Sequence, residues 1–160
     1  MVRYGKEIFK NDDVCANVKG NTPLHLAVAI KRRNQLELPR IEEILISKTK
    51  DGVMLLHLNK DGLNPLMISL QKGSESSSDP VNVVKLMLES TCSQKLIEAT
   101  DRLGNSLLHI AAKLDSIPLA LSIVFAKTPA ERRNNVNQFG NTPLSEAILN
   151  DRMNNALFIL

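Results

Sequence analysis

Short apolar runs with helical spacing recur along the chain, each entered from a polar turn. A first run follows each turn, as in Leu24-His-Leu-Ala27, and a second follows after a polar stretch. The second runs are Ile41, Ile44, Leu45 and Ile46; then Val83, Val84, Leu86, Met87 and Leu88; then Leu121, Ile123, Val124 and Phe125; finally Leu157, Phe158, Ile159 and Leu160. Each unit therefore reads as turn, helix, helix. A helix pair cannot bury its apolar face alone, so stacked pairs must share a continuous core. The pattern predicts an all-α helix-turn-helix solenoid.

The turns make the repeat explicit. Asn17-Val-Lys-Gly-Asn-Thr-Pro-Leu-His25, Asn59-Lys-Asp-Gly-Leu-Asn-Pro-Leu-Met67, Asp101-Arg-Leu-Gly-Asn-Ser-Leu-Leu-His109 and Asn137-Gln-Phe-Gly-Asn-Thr-Pro-Leu-Ser145 align without gaps. Their glycines stand at 20, 62, 104 and 140, which spaces them by 42, 42 and 36 residues. The Asn or Asp can hydrogen-bond its own backbone to start a turn. Gly supplies a positive φ at the bend. Thr or Ser can accept a helix-start N–H, and Pro after it is pre-set for the first helical turn.

Gly-Asn-Thr-Pro-Leu-His resembles the signature of the ankyrin repeat, and the resemblance runs from about Asn17 to Leu160. It divides the chain into a capping segment over 1–16, units over 17–58, 59–100 and 101–136, and a fourth, truncated unit over 137–160. Tyr4, Ile8 and Phe9 would face inward from the cap. A standard unit is about 33 residues. The extra length of the first two units is expected mainly between their helices, in loops at 33–39 and 73–80, with a few residues after the second helix. The chain also departs from the signature at Asn64, Met67 and Leu107. In the fourth unit Ser145 replaces His and Glu146 takes a normally apolar helix position, so its packing is expected to be the least regular. The last residues, apolar where a terminal repeat is ordinarily polar, suggest either part of a longer protein or a helix that meets a partner.

Composition narrows the function. Twenty basic and 17 acidic residues give a net charge of +3 with both signs scattered. Nucleic-acid binding calls for clustered Lys and Arg, and Lys31-Arg32-Arg33 and Glu131-Arg132-Arg133 read as solvated loop ends. Two cysteines make a poor disulfide framework and suit a reducing compartment. No secretory signal is evident at the N-terminus, and no apolar stretch approaches the ~20 residues that span a bilayer. The expected setting is cytoplasmic, or the cytoplasm or nucleus of a host cell; abundant Asn, Lys and Ile are similar to ankyrin proteins secreted by intracellular bacteria.

Candidate chemistry is sparse. No HExxH, Cys-x-x-Cys, phosphate-binding glycine loop or nucleophile elbow occurs, so no catalytic, metal or cofactor residue is assigned. Cys15 or Cys92 could meet His25 or His109 only if the fold brought them together in a cleft. The resemblance instead implies that His25 and His109 bond neighbouring backbone. His57 lies in a connecting segment.

What remains is recognition of another protein. The resemblance implies that the turns project as a row of tips and that the first helices line a concave face. The tip positions are Val18, Lys19, Asn21, Lys60, Asp61, Leu63, Arg102, Leu103, Asn105, Gln138, Phe139 and Asn141. Concave positions are Ala29, Ile30, Gln71, Lys72, Lys113, Leu114, Leu149 and Asn150. Leu63, Leu103 and Phe139 either form a contact patch or fold back on neighbouring hairpins. Lys19, Lys60 and Arg102 suit a partly acidic partner. The expected function is a non-enzymatic protein-interaction module, in the setting of those secreted proteins a host-directed effector, and monomeric unless the end at Leu160 pairs. The alternative is the targeting domain of a larger enzyme.

Overall fold

The computed structural model describes residues 15–29, 52–72, 79–114 and 118–160. Nine α-helices lie within them: α1 (Pro23–Ala29), α2 (Val53–Leu56), α3 (Pro65–Lys72), α4 (Asp79–Leu88), α5 (Ser93–Glu98), α6 (Leu107–Ala112), α7 (Pro118–Lys127), α8 (Pro143–Leu149) and α9 (Met153–Ile159). A 3-10 turn, Ala130–Arg132, follows α7. Among the described residues there is no β-strand, only an isolated bridge between Thr100 and Ser106. The architecture is all-α.

The helices form two rows. In the inner row α1 packs on α3, α3 on α6 and α6 on α8; in the outer row α4 packs on α7 and α7 on α9. Each inner helix begins at the capping position that the turn sequence supplies. Ser106 Oγ accepts from His109 N, Thr142 Oγ1 from Ser145 N at 3.2 Å, and Asn64 Oδ1 from Met67 N at 2.9 Å. Such a cap satisfies one of the N–H groups that a helix start leaves without an intrahelical partner.

Between the rows lies one aliphatic core. Leu24, Leu66, Leu70, Leu107, Leu108 and Ile110 enter it from the inner helices, and Val84, Met87, Leu121 and Val124 from the outer ones. Each fully buried Leu stabilises the stack by about 1.5–3 kcal/mol relative to an exposed one. Ala112, Ala147 and Ala156 form a separate small cluster where the last hairpin joins, edged by Leu144 and Ile159.

The residues expected after the second helix form short helices, α2 and α5, which bury Leu55, Leu96 and Ile97. Two expectations change. The loop expected to end at 80 ends earlier, because α4 begins at Asp79. The final outer helix is not buried through its apolar run. Leu157, Phe158 and Leu160 are exposed, and Asn155 and Ala156 face inward instead. The physical reason is that Asn155 Nδ2 caps the end of the inner helix, donating to Ala112 O and Leu114 O at 2.9 Å each. Phe158 still meets Phe125 edge-on, with 5.4 Å between ring centroids. The capping segment, with Tyr4, Ile8 and Phe9, the loop at 33–39 and the helix expected around Ile41–Ile46 lie outside the described residues, as do Ile30 and residues 73–78.

Candidate functional site

Four turns of one design project from the end of the inner row. In each, the first side chain closes the loop on itself. Asn17 Oδ1 accepts from Lys19 N and Asn21 N at 2.9 and 3.0 Å, and Asn59 Oδ1 does the same for Asp61 N and Leu63 N. Asp101 Oδ1 takes Leu103 N and Asn105 N, and Asn137 Oδ1 takes Phe139 N and Asn141 N. The glycines sit at φ 76–77°, a left-handed conformation that an L side chain resists. With the ends of each loop pinned, the two residues before Gly are pushed into solvent. Lys19, Lys60, Asp61, Arg102, Gln138 and Phe139 are exposed there, and so are Val18 and Leu103.

The first turn is joined edge to edge with the second, and the third with the fourth. Lys60 N donates to Lys19 O at 3.0 Å and Gln138 N to Leu103 O at 2.9 Å. Beneath them Asn59 Nδ2 donates to Asn21 Oδ1, and Asn137 Nδ2 to Asn105 Oδ1, both at 2.8 Å. Leu103 and Phe139 occupy equivalent positions on two turns linked this way, at 46% and 68% exposure.

The histidines belong to the same framework. Thr22 N donates to His25 Nδ1 at 3.2 Å, so Nδ1 is an acceptor and Nε2 carries the proton, which it donates to Leu63 O at 3.0 Å. His109 repeats this with Ser106 N at 3.2 Å and Asn141 O at 2.9 Å. Burial pushes both pKa values below the usual imidazole range, and the carbonyl each ring donates to opposes that only in part. Both nitrogens of each ring are thus engaged in architecture, which leaves neither ring to serve as base to Cys15 or Cys92. Among the described residues no group of three or more His, Cys, Asp or Glu side chains could hold a metal ion.

The structure separates the tip residues expected from sequence into two sets. Asn105 is buried, accepting from Asn137 and donating to Asp101 Oδ2 at 2.9 Å. Asn21 and Asn141 are half-buried in the same service, with Asn141 Nδ2 donating to Glu146 at 3.1 Å. Leu63 folds back and packs against the core, as do Ala29 and Leu114. Lys113 is turned toward Glu146, 3.5 Å away. Gln71, Leu149 and Asn150 remain exposed on the inner helices.

Glu146 is the residue that sequence reasoning misjudged. Its place in the helix is apolar by the repeat pattern, and it is buried, yet it accepts from Asn137 Nδ2 at 2.8 Å and from Asn141 Nδ2. Burial opposes its ionisation, but the two amides and the Lys113 charge outweigh burial and hold its carboxyl below the usual carboxylate range. At this helix position the fourth hairpin therefore has polar contacts in place of an apolar one. No local signal announces this, since the partners lie in a turn that precedes the helix.

The ankyrin repeat family matches residues 19–50. Over 83 residues, 52% of this chain, the sequence is 35% identical to a poly [ADP-ribose] polymerase tankyrase from Caenorhabditis elegans. The match spans only 4% of that protein's length. Among the described residues no helix is long and apolar enough to cross a membrane. Residues 19–50 are thus matched as an ankyrin repeat, and the Asx-Gly turns, capped inner helices and paired helical rows carry the same design through the described residues; ankyrin repeats serve as protein-interaction modules.

Proposed function

We propose that the chain holds its partner along the row of turn tips. The observation that carries this reading is the pair Leu103 and Phe139. They stand at equivalent positions on hydrogen-bonded neighbouring turns, and they leave apolar surface in water where Leu63 turns inward. The tips before them are charged: Lys19, Lys60 and Asp61, with Arg102 at the boundary. A segment that offers acidic side chains toward Lys19, Lys60 and Arg102, and one apolar side chain toward Leu103 and Phe139, complements that row.

Arginine and aromatic side chains are enriched at interface hot spots, where truncation costs about 2 kcal/mol or more. The test is the affinity of an identified partner for Arg102→Ala/Phe139→Ala, with circular dichroism confirming an intact fold. Loss of at least ~30-fold supports the tip row; unchanged affinity moves the site to the concave face around Gln71, Leu149 and Asn150.

A second reading is that the module targets an enzyme within a longer polypeptide. It is favoured by the likeness to one stretch of a much longer polymerase. Sequencing the complete reading frame tests it.

A further inference from the structure

The links that join neighbouring repeats are not evenly distributed. Between the first and second turns there are three: the Lys60 to Lys19 backbone bond, the Asn59 to Asn21 amide bond, and His25 donating to Leu63 O. Between the third and fourth the same three recur, through Gln138 to Leu103, Asn137 to Asn105, and His109 to Asn141. Arg152 Nε to Lys113 O, the two Asn155 bonds and the Lys113–Glu146 pair add to them.

None of the three recurs between the second and third turns. For the two side-chain links the reason is chemical. The amide donor is replaced by Asp101, which has no N–H to give, and the amide acceptor by Leu63, which has no oxygen in its side chain. The imidazole is replaced by Met67. The turns still touch, since a Cβ on Gly62 would lie 3.0 Å from Arg102 N, but no hydrogen bond spans them. Next to Met67, the buried Asn64 Nδ2 has no partner at all. Among the described residues the polar contacts that cross here are the isolated Thr100–Ser106 bridge, beside the covalent connection itself, and Arg132 to Glu98 at 3.3 Å, with both side chains about 40% exposed. Exposed pairs of this kind contribute little.

We infer that the array is built as two rigid halves, the described residues 15–29, 52–72 and 79–100 on one side and 101–114 and 118–160 on the other, that swing against each other at an apolar junction between α3–α4 and α6–α7. Hydrogen bonds are directional and fix the register of the surfaces they join. Burial of apolar surface is non-directional, so it holds the halves together without fixing their angle. Met67 at this face adds a flexible side chain that repacks readily. The junction also divides the tip row by chemistry, with Lys19, Lys60 and Asp61 on one half and Arg102, Leu103 and Phe139 on the other.

Backbone amide residual dipolar couplings on the full chain test this, read from α1, α3, α4 and α5 on one side and α6 to α9 on the other. The two sets are expected to require separate alignment tensors of unequal magnitude. In Leu63→Asn/Asn64→Thr/Met67→His/Asp101→Asn, which rebuilds the missing links, one tensor is expected to fit both. If that variant fails to fold, Leu63→Asn/Asp101→Asn restores the amide bond alone and should bring the two tensors closer. One tensor fitting the natural chain overturns the proposal. So does a folded, link-restored variant whose halves remain as independent as before.

Discussion

The ring Nε2 of His109 donates to the carbonyl oxygen of Asn141 at 2.9 Å, across 32 residues of chain. With Nδ1 held by Ser106, this imidazole caps its own helix and anchors the next turn. Replacing His109 by Ala removes both and leaves a cavity at a fully buried site. A loss of roughly 2–4 kcal/mol is expected in urea unfolding. A loss below about 0.5 kcal/mol would show that the link is incidental.

The same geometry sets a pH dependence. His25 and His109 titrate lower in the fold than the unfolded value of 6.5, so the unfolded chain binds more protons once pH falls below 6.5. Their contribution is complete above that value and is lost as pH drops through the folded pKa values. Glu146, lowered from 4.5, adds a second loss below 4.5. The urea midpoint should therefore be flat near neutral pH and fall in two stages. In His25→Gln/His109→Gln the upper stage should shrink while the lower one persists. A midpoint that rises on acidification from pH 7 to about 5 contradicts the assignment.

Glu146 distinguishes this structure from the repeat pattern. By pattern, Leu at 146 restores an apolar position and stabilises. By the hydrogen bonds found, Glu146→Leu removes an acceptor from both the Asn137 and Asn141 amides, leaving Asn137 only its bond to Asn105, and costs about 2–3 kcal/mol. Glu146→Gln, which keeps one acceptor oxygen, should cost less. Thermal unfolding of the two variants decides between the accounts.

Glycines with nearly the same φ should tolerate alanine unequally. Gly140→Ala meets nothing within 4 Å and incurs only the left-handed backbone strain, about 1–2 kcal/mol. At Gly20 the added methyl also comes within 3.0 Å of Lys60 N and 3.2 Å of Asn59 Cα, backbone that cannot step aside cheaply. Gly20→Ala should be the more destabilising of the two in chemical unfolding, and equal losses would argue against close stacking of the turns.

Much of this was legible in the sequence because the repeat writes local chemistry four times. Asn17, Asn59, Asp101 and Asn137 each close a turn as their spacing from Gly implies, and Thr22, Asn64, Ser106 and Thr142 each stand at the start of an inner helix. The backbone role of His25 and His109 followed from their shared position. Relations between repeats were not legible. Leu63, just after its glycine, packs on the core, while Leu103, just before its own, stays in water. Asn105 looks like a tip residue until Asn137 is seen to donate to it. The short helices α2 and α5 lack the length for a periodic signal.

The central claim is that the tip row binds a protein. Its most direct measurement is the dissociation constant of an identified partner for the natural chain, for Arg102→Ala/Phe139→Ala, and for Leu119→Ala on the exposed outer surface of α7. The account predicts a loss of ~30-fold or more for the tip variant and essentially none for Leu119→Ala. Equal affinity for the natural chain and the tip variant, with both folded, would contradict it.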